Sequence, residues 1–252
     1  MRLRCARVAV IAPAYTYVVQ GVSLVGQISR FSNAERPPVF PVCLVVDVSA
    51  SMHGVSMDAV NRALPELRQA ILDDPATGEI TRIALVTFAS KARIALPLSN
   101  LWEAEIPALE AEDSTNFGAG LRAAREAIET GIRGLGKGTR FYRPVVFFLS
   151  DGQHNGPDWS SAWSELTDRN DKFGAEVVAF GMGDADREAI GEISTGHAYF
   201  AADPDPVGAV REILRSVLGS IRSTSSSFGS PDGGALIIAP SPGLTRLPEN
   251  VV

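Results

Sequence analysis

From Val42 onward the chain alternates short, continuous apolar runs rich in β-branched residues with longer segments whose apolar positions recur every three or four residues. Continuous runs of this kind are strands buried on both faces, and their alternation with amphipathic segments is the pattern of βαβ units in a mostly parallel sheet. The runs predict strands at Val42–Asp47, Arg82–Phe88, Arg93–Leu96, Val145–Ser150, Glu176–Phe180 and Ala198–Phe200. Between them, Val60, Leu64, Leu67 and Ile71 share one face of a helix over Met57–Leu72, and Leu121, Ala124 and Ile128 do so over Gly118–Ile132. Pro65 predicts a kink in the first helix or a later start, because proline lacks an N–H and crowds the preceding turn. Three further helices, Asp158–Phe173, Asp184–Ile193 and Asp205–Ile221, each open near an acid able to cap free N–H groups. The fold class expected is α/β, a doubly wound, mostly parallel central sheet flanked by helices.

Outside this pattern lie two segments of different character. At the amino end Arg2, Arg4 and Arg7 precede the apolar run Val8–Ala12, and a second apolar run, Val18–Val25, follows. The outline is that of a weak secretory leader. Pro13 breaks the first run, and Gln20, Gly21 and Ser23 dilute the second, so neither approaches the ~20 apolar residues of a membrane span. Residues 1–38 are read as a loosely attached leader or an extra strand, and the protein as cytoplasmic, with export by the weak signal as the alternative. Beyond Ile221 the composition turns to Ser223–Ser227, Gly229, Pro231, Gly233 and Gly234, which is linker chemistry. Residues 223–252 are therefore expected to be a flexible tail, with Ala235–Ala239 as a candidate edge strand, leaving 39–222 as the domain.

Composition narrows the function. With 252 residues, 45% of them hydrophobic, the chain can build one substantial core. A formal charge of −6 and the lack of a clustered basic face argue against nucleic acid as a partner. The two cysteines, Cys5 and Cys43, are too few for a disulfide scaffold, and Cys43 sits inside an apolar strand, where a thiol acts as a small hydrophobe.

Candidate chemistry is concentrated where ligands gather in open parallel sheets, just past the carboxyl ends of the strands. Asp47, Ser49 and Ser51 follow the first strand, Ser114-Thr115-Asn116-Phe117-Gly118 opens a helix, and Ser150-Asp151-Gly152 follows the run Val145–Leu149. Carboxylates and hydroxyls suit a hard, oxygen-loving cation. Taken singly, each loop is explained by helix capping. His53 and His154 close behind the first and third loops read as solvated loop histidines, with a place at the border of the ligand surface as the alternative, His197 as structural, and Asp113 as a modifier of local charge.

The order Asp47-x-Ser49-x-Ser51, then Thr115, then Asp151 resembles the metal-ion-dependent adhesion site (MIDAS) of the von Willebrand factor type A (VWA) domain, over roughly residues 40 to 220. The resemblance implies a Rossmann-like fold in which Ser49, Ser51 and Thr115 supply hydroxyl ligands and Asp47 and Asp151 act largely through ordered waters. It implies Mg²⁺, with Mn²⁺ and Ca²⁺ as alternatives, and a protein partner that offers an Asp or Glu to the metal. Val177–Asp184 resembles the family's later strand and glycine turn, although a turn and a cap at Asp184 suffice to explain it. Within the family, Pro41–Asp47 is most similar to bacterial stand-alone domains of the tellurite-resistance TerY type, which implies kinase or phosphatase partners in a stress-response complex; no zinc-ribbon cysteines extend that likeness.

The enzyme alternative is a metal-dependent phosphatase of haloacid-dehalogenase type, although Ser49 stands where that family has its second acid. Gly131–Lys137 fits the phosphate-loop spacing, but Gly138 replaces the required Ser or Thr and the segment follows a helix. No Ser-His-Asp set or closely spaced histidine pair stands out. The expectation is a binding module without catalysis.

Overall fold

A computed structural model of the protein describes residues 37–229 and 234–248. Its strands are β1 (Phe40–Asp47), β2 (Thr81–Phe88), β3 (Ala92–Asn100), β4 (Val145–Ser150), β5 (Glu176–Gly181), β6 (His197–Ala201) and β7 (Leu244–Arg246). The helices are α1 (Val55–Leu72), α2 (Pro75–Ile80), α3 (Phe117–Gly134), α4 (Ser160–Thr167), α5 (Arg187–Ile193) and α6 (Pro206–Ser227). One sheet runs in the order β3-β2-β1-β4-β5-β6-β7. The pairs from β2 through β6 are parallel, and the two outer strands, β3 and β7, join antiparallel.

Because side chains alternate across a strand, the continuous apolar run of β1 supplies both faces of the sheet. Val42, Leu44 and Val46 join the core layer that contains α1 and α6, whereas Cys43 and Val45 join the layer that contains α3, α4 and α5. Burial pushes the Cys43 thiol up to about 12, so it stays protonated as a core group. This is the doubly wound, mostly parallel sheet expected from the sequence. Strand order reverses between β1 and β4, which opens a crevice outside their carboxyl ends.

Several elements differ from their sequence expectations for local reasons. α1 is continuous from Val55, earlier than expected, and Pro65 lies inside it on the exposed side, where water can satisfy the carbonyl its missing N–H would have met. α4 ends at Thr167 instead of Phe173, because Asp168 and Asp171 accept from the backbone of Asn170 and Phe173 and fold the chain into turns. α5 starts at Arg187, capped by Asp186 and not by Asp184. α2, capped by Asp74, had no counterpart in the sequence reading.

The larger correction concerns the carboxyl end. Ser223–Ser227, read as linker, is the last turn and more of α6. Ala235–Ala239 is not a strand; the edge strand is Leu244–Arg246, paired with β6. Between them the chain runs back along α6 as a strap held by side-chain hydroxyls. Ser227 Oγ donates to the Ala235 carbonyl (2.9 Å) and accepts from its N–H (3.1 Å). Thr224 Oγ1 does the same for Ile237 (3.2 and 3.0 Å), and Ser220 Oγ accepts from the Ala239 N–H (3.0 Å). Glu212 closes the series by accepting from Ser241 Oγ and the Gly243 N–H. Helix positions 220, 224 and 227 share one face, so they meet alternate residues of an extended chain. Residues 1–36 of the expected leader lie outside the described residues.

Candidate functional site

The crevice at the β1/β4 reversal holds all five residues singled out by the sequence. Asp47 is the last residue of β1, Ser49 and Ser51 lie in the turn that follows, Thr115 precedes the cap of α3, and Asp151 directly follows β4. Backbone bonds fix the loops against one another: the Val48 N–H donates to the Phe88 carbonyl (2.9 Å), and the Asn116 N–H to that of Ala89 (2.9 Å). Asn116 also caps α3 by accepting from the Ala119 N–H (3.0 Å).

Asp47 is fully buried, and each of its oxygens is already engaged. Oδ1 accepts from the Ser49 N–H (2.8 Å) and Oδ2 from Ser150 Oγ (2.5 Å). Ser51, exposed to solvent, donates its hydroxyl to Asp151 Oδ1 (2.5 Å) and lies 3.1 Å from Ser49 Oγ. The Thr115 hydroxyl closes the group. A Cβ built on Gly152 would lie 3.2 Å from Ser51 Oγ, 3.2 Å from Thr115 Oγ1 and 3.4 Å from Ser49 Oγ. Three hydroxyl oxygens from two loops thus gather around one position beside Gly152, which a side chain there would crowd.

The electrostatics of the cleft match this donor set. Burial raises the Asp47 carboxyl above the usual range, opposed by the hydrogen bonds from Ser150 and Ser49. Asp151 is pushed up to about 6, first by burial and then by the neighbouring charges of Asp47 and Asp184. Neither carboxylate takes part in an ion pair with Lys or Arg among the described residues. Two crowded carboxylates without a cation, beside three neutral hydroxyls, fit an oxygen-seeking divalent ion. Among the described residues no group of three or more His, Cys, Asp or Glu side chains is arranged to hold a metal, so a site here depends on the hydroxyls.

Other residues contribute, some named in the sequence only as loop, cap or solvated positions and one, Asn155, not singled out there. Ser150 orients Asp47, and Asn155 ties the third loop to the second: its Oδ1 accepts from the Thr115 N–H (3.0 Å) and from Ser114 Oγ (2.8 Å). Ser114 has φ 62°, a left-handed conformation that costs about 1 kcal/mol or more and that these bonds hold. Asp184 caps no helix; it lies near enough to Asp151 to raise its proton affinity. His154, expected to be a solvated loop residue, is half-buried between Phe117 and Trp159. His53 is exposed.

Two alternatives lose their structural basis. Asp47 has both oxygens bonded and no exposure, so it is not presented as the attacking carboxylate of a phosphatase. Gly131–Gly134 belongs to the last turn of α3, so the glycine spacing there forms no phosphate loop between a strand and a helix.

The von Willebrand factor type A domain model matches residues 42–214, and the chain belongs to this family. Members of the family are interaction and adhesion modules. The chain is 28% identical over 202 residues to the uncharacterized protein YfbK of Escherichia coli (strain K12), an alignment that takes in 75% of this chain and 32% of that protein. The chain thus spans about a third of the relative's length. Solved structures share the fold. They include a von Willebrand factor type A protein from Catenulispora acidiphila (TM-score 0.56, 16% identity, 73% of this chain and 43% of that one). Proximal thread matrix protein 1 of the mussel byssus, in a form with a zinc-occupied MIDAS motif, aligns with TM-score 0.52 and 16% identity over 73% of this chain and 48% of that one. No helix among the described residues is long and apolar enough to cross a membrane.

Proposed function

We propose that the protein is a binding module that captures a protein partner through a divalent cation, Mg²⁺ in the first instance, held by Ser49, Ser51 and Thr115 with Asp47 and Asp151 behind them. The observation that carries this reading is the gathering of the three hydroxyls around one position beside Gly152, next to two carboxylates that form no ion pair with Lys or Arg among the described residues. When bound, a cation with mainly neutral ligands would remain electrophilic and would accept a carboxylate from an Asp or Glu of the partner. Asp47 orients the first loop through the Ser49 N–H and braces Ser150, whereas Asp151 holds the Ser51 hydroxyl and supplies charge. Gly152 keeps the approach clear. The zinc-occupied motif of the mussel protein is consistent with a divalent ion in this fold, and Mn²⁺, Ca²⁺ and Zn²⁺ are the competitors to try against Mg²⁺. The partner is defined here by its carboxylate; kinase, phosphatase and stress-response connections follow only from the TerY likeness.

Titration of Mg²⁺ into EDTA-treated protein tests the reading. One saturable site is expected, lost in Asp47→Ala and Thr115→Ala, with Mg²⁺-dependent thermal stabilisation lost in parallel. Uptake unchanged in both variants would sink it.

A further inference from the structure

The third loop does more than deliver Asp151. His154 Nδ1 accepts the N–H of Phe117, the first residue of α3 (3.2 Å). That bond requires Nδ1 to be without a proton, so the proton sits on Nε2, which donates to the Pro157 carbonyl (3.0 Å). The ring lies 5.1 Å from Phe117 and 4.7 Å, edge-on, from Trp159. Next to it, Asn155 takes the Thr115 N–H and the Ser114 hydroxyl on its side-chain oxygen, and its own N–H donates to the Thr115 carbonyl (3.0 Å). The peptide groups on both sides of the Thr115 side chain are therefore held by one dipeptide of the other loop. Space here is tight. A Cβ on Gly156 would come within 2.9 Å of Asn116 Cγ and 3.0 Å of His154 Cε1, so the third loop closes on the cap of α3 only because residue 156 has no side chain.

We infer that His154 and Asn155 are positioning residues for the cation site, a clip that sets the Thr115 hydroxyl from behind. This rests on the cation reading given above. Asp113 precedes the clipped Ser114 and is exposed. Loss of an outer partner of a metal ligand typically weakens the metal ~10-fold or more.

The test is calorimetric titration of Mg²⁺ into the full chain after EDTA treatment. His154→Ala and Asn155→Ala are each expected to bind roughly 10-fold more weakly than wild type. His154→Asn keeps an acceptor where Nδ1 stands, so it is expected to bind like wild type. Wild-type affinity in both alanine variants overturns the clip alone, as does an asparagine variant as weak as alanine. No uptake by the wild-type chain overturns the cation reading, and the clip falls with it.

Discussion

Ser49, Ser51 and Thr115 at the end of the sheet and Ser220, Thr224 and Ser227 along α6 are the same chemistry in opposite use. In the strap every hydroxyl is bonded to the backbone of its own chain, at 2.9 to 3.2 Å, which stitches residues 235–239 to the helix. In the crevice the hydroxyls gather beside Gly152, with Ser51 donating to the Asp151 carboxylate, and the loops that carry them are fixed by other groups: the backbone of Val48 and Asn116 and the side chains of Asp47 and Asn155. Hydroxyls whose positions are maintained by neighbours are free to serve a ligand. Hydroxyls that do the maintaining are not.

The largest effect expected from this contrast is at Asp47. Asp47→Ala should lower Mg²⁺ affinity at least ~100-fold, the upper range for lost support of a metal ligand, as read by calorimetry; a tenfold or smaller loss would mean that the hydroxyls hold position without it. Next comes the exchange of Thr for Val on either side of the comparison. Thr224→Val removes a buried hydroxyl that both donates and accepts, and should cost about 1 to 2 kcal/mol in denaturant unfolding while leaving Mg²⁺ affinity alone. Thr115→Val should do the reverse, with the smaller loss of stability and with Mg²⁺ affinity lost. If both variants lost stability equally, the two sets of hydroxyls would not differ in kind.

A smaller effect follows from Asp151. Its folded pKa of about 6 lies above its ordinary value of 3.8, so in metal-free protein the group favours folding at low pH, and that contribution is lost as pH rises through about 6. Metal-free wild type should be roughly 1 kcal/mol less stable at about pH 7.5 than at about pH 5, relative to Asp151→Asn, when followed by urea denaturation. Saturating Mg²⁺ should reverse the sign, because a cation binds the deprotonated form.

The crevice was legible in the sequence because its parts are local. Asp47, Ser49 and Ser51 are spaced by single residues after an apolar run, Asp151 ends another such run, and the reversal of strand order brings the two runs side by side. Asn155 and Ser150 were not legible as partners of Thr115 and Asp47, since nothing in the spacing tells which side chain will turn toward which loop. The strap was missed for a different reason. Ser223–Ser227 was weighed by composition, although Ser220, Thr224 and Ser227 recur at helical spacing, a signal that could have placed them on one face of a longer α6. The capping acid of α5 was misplaced by two residues because Asp184 and Asp186 are equally good caps in isolation, and only the path of the turn at Gly183 (φ 57°) decides between them.

β7 is only three residues long, yet it governs how this sheet meets other molecules of its own kind. A bare outer strand presents a row of free N–H and C=O groups that can template pairing with another chain. Here one edge is occupied by β7, and the other is β3, where Pro97 offers no N–H and the register with β2 is irregular. The strap that carries the chain back to β7 therefore acts in colloidal terms as well as in folding terms. A fragment ending at residue 229 would leave β6 uncovered, and light scattering should show it associating strand to strand at concentrations at which the whole chain stays dispersed.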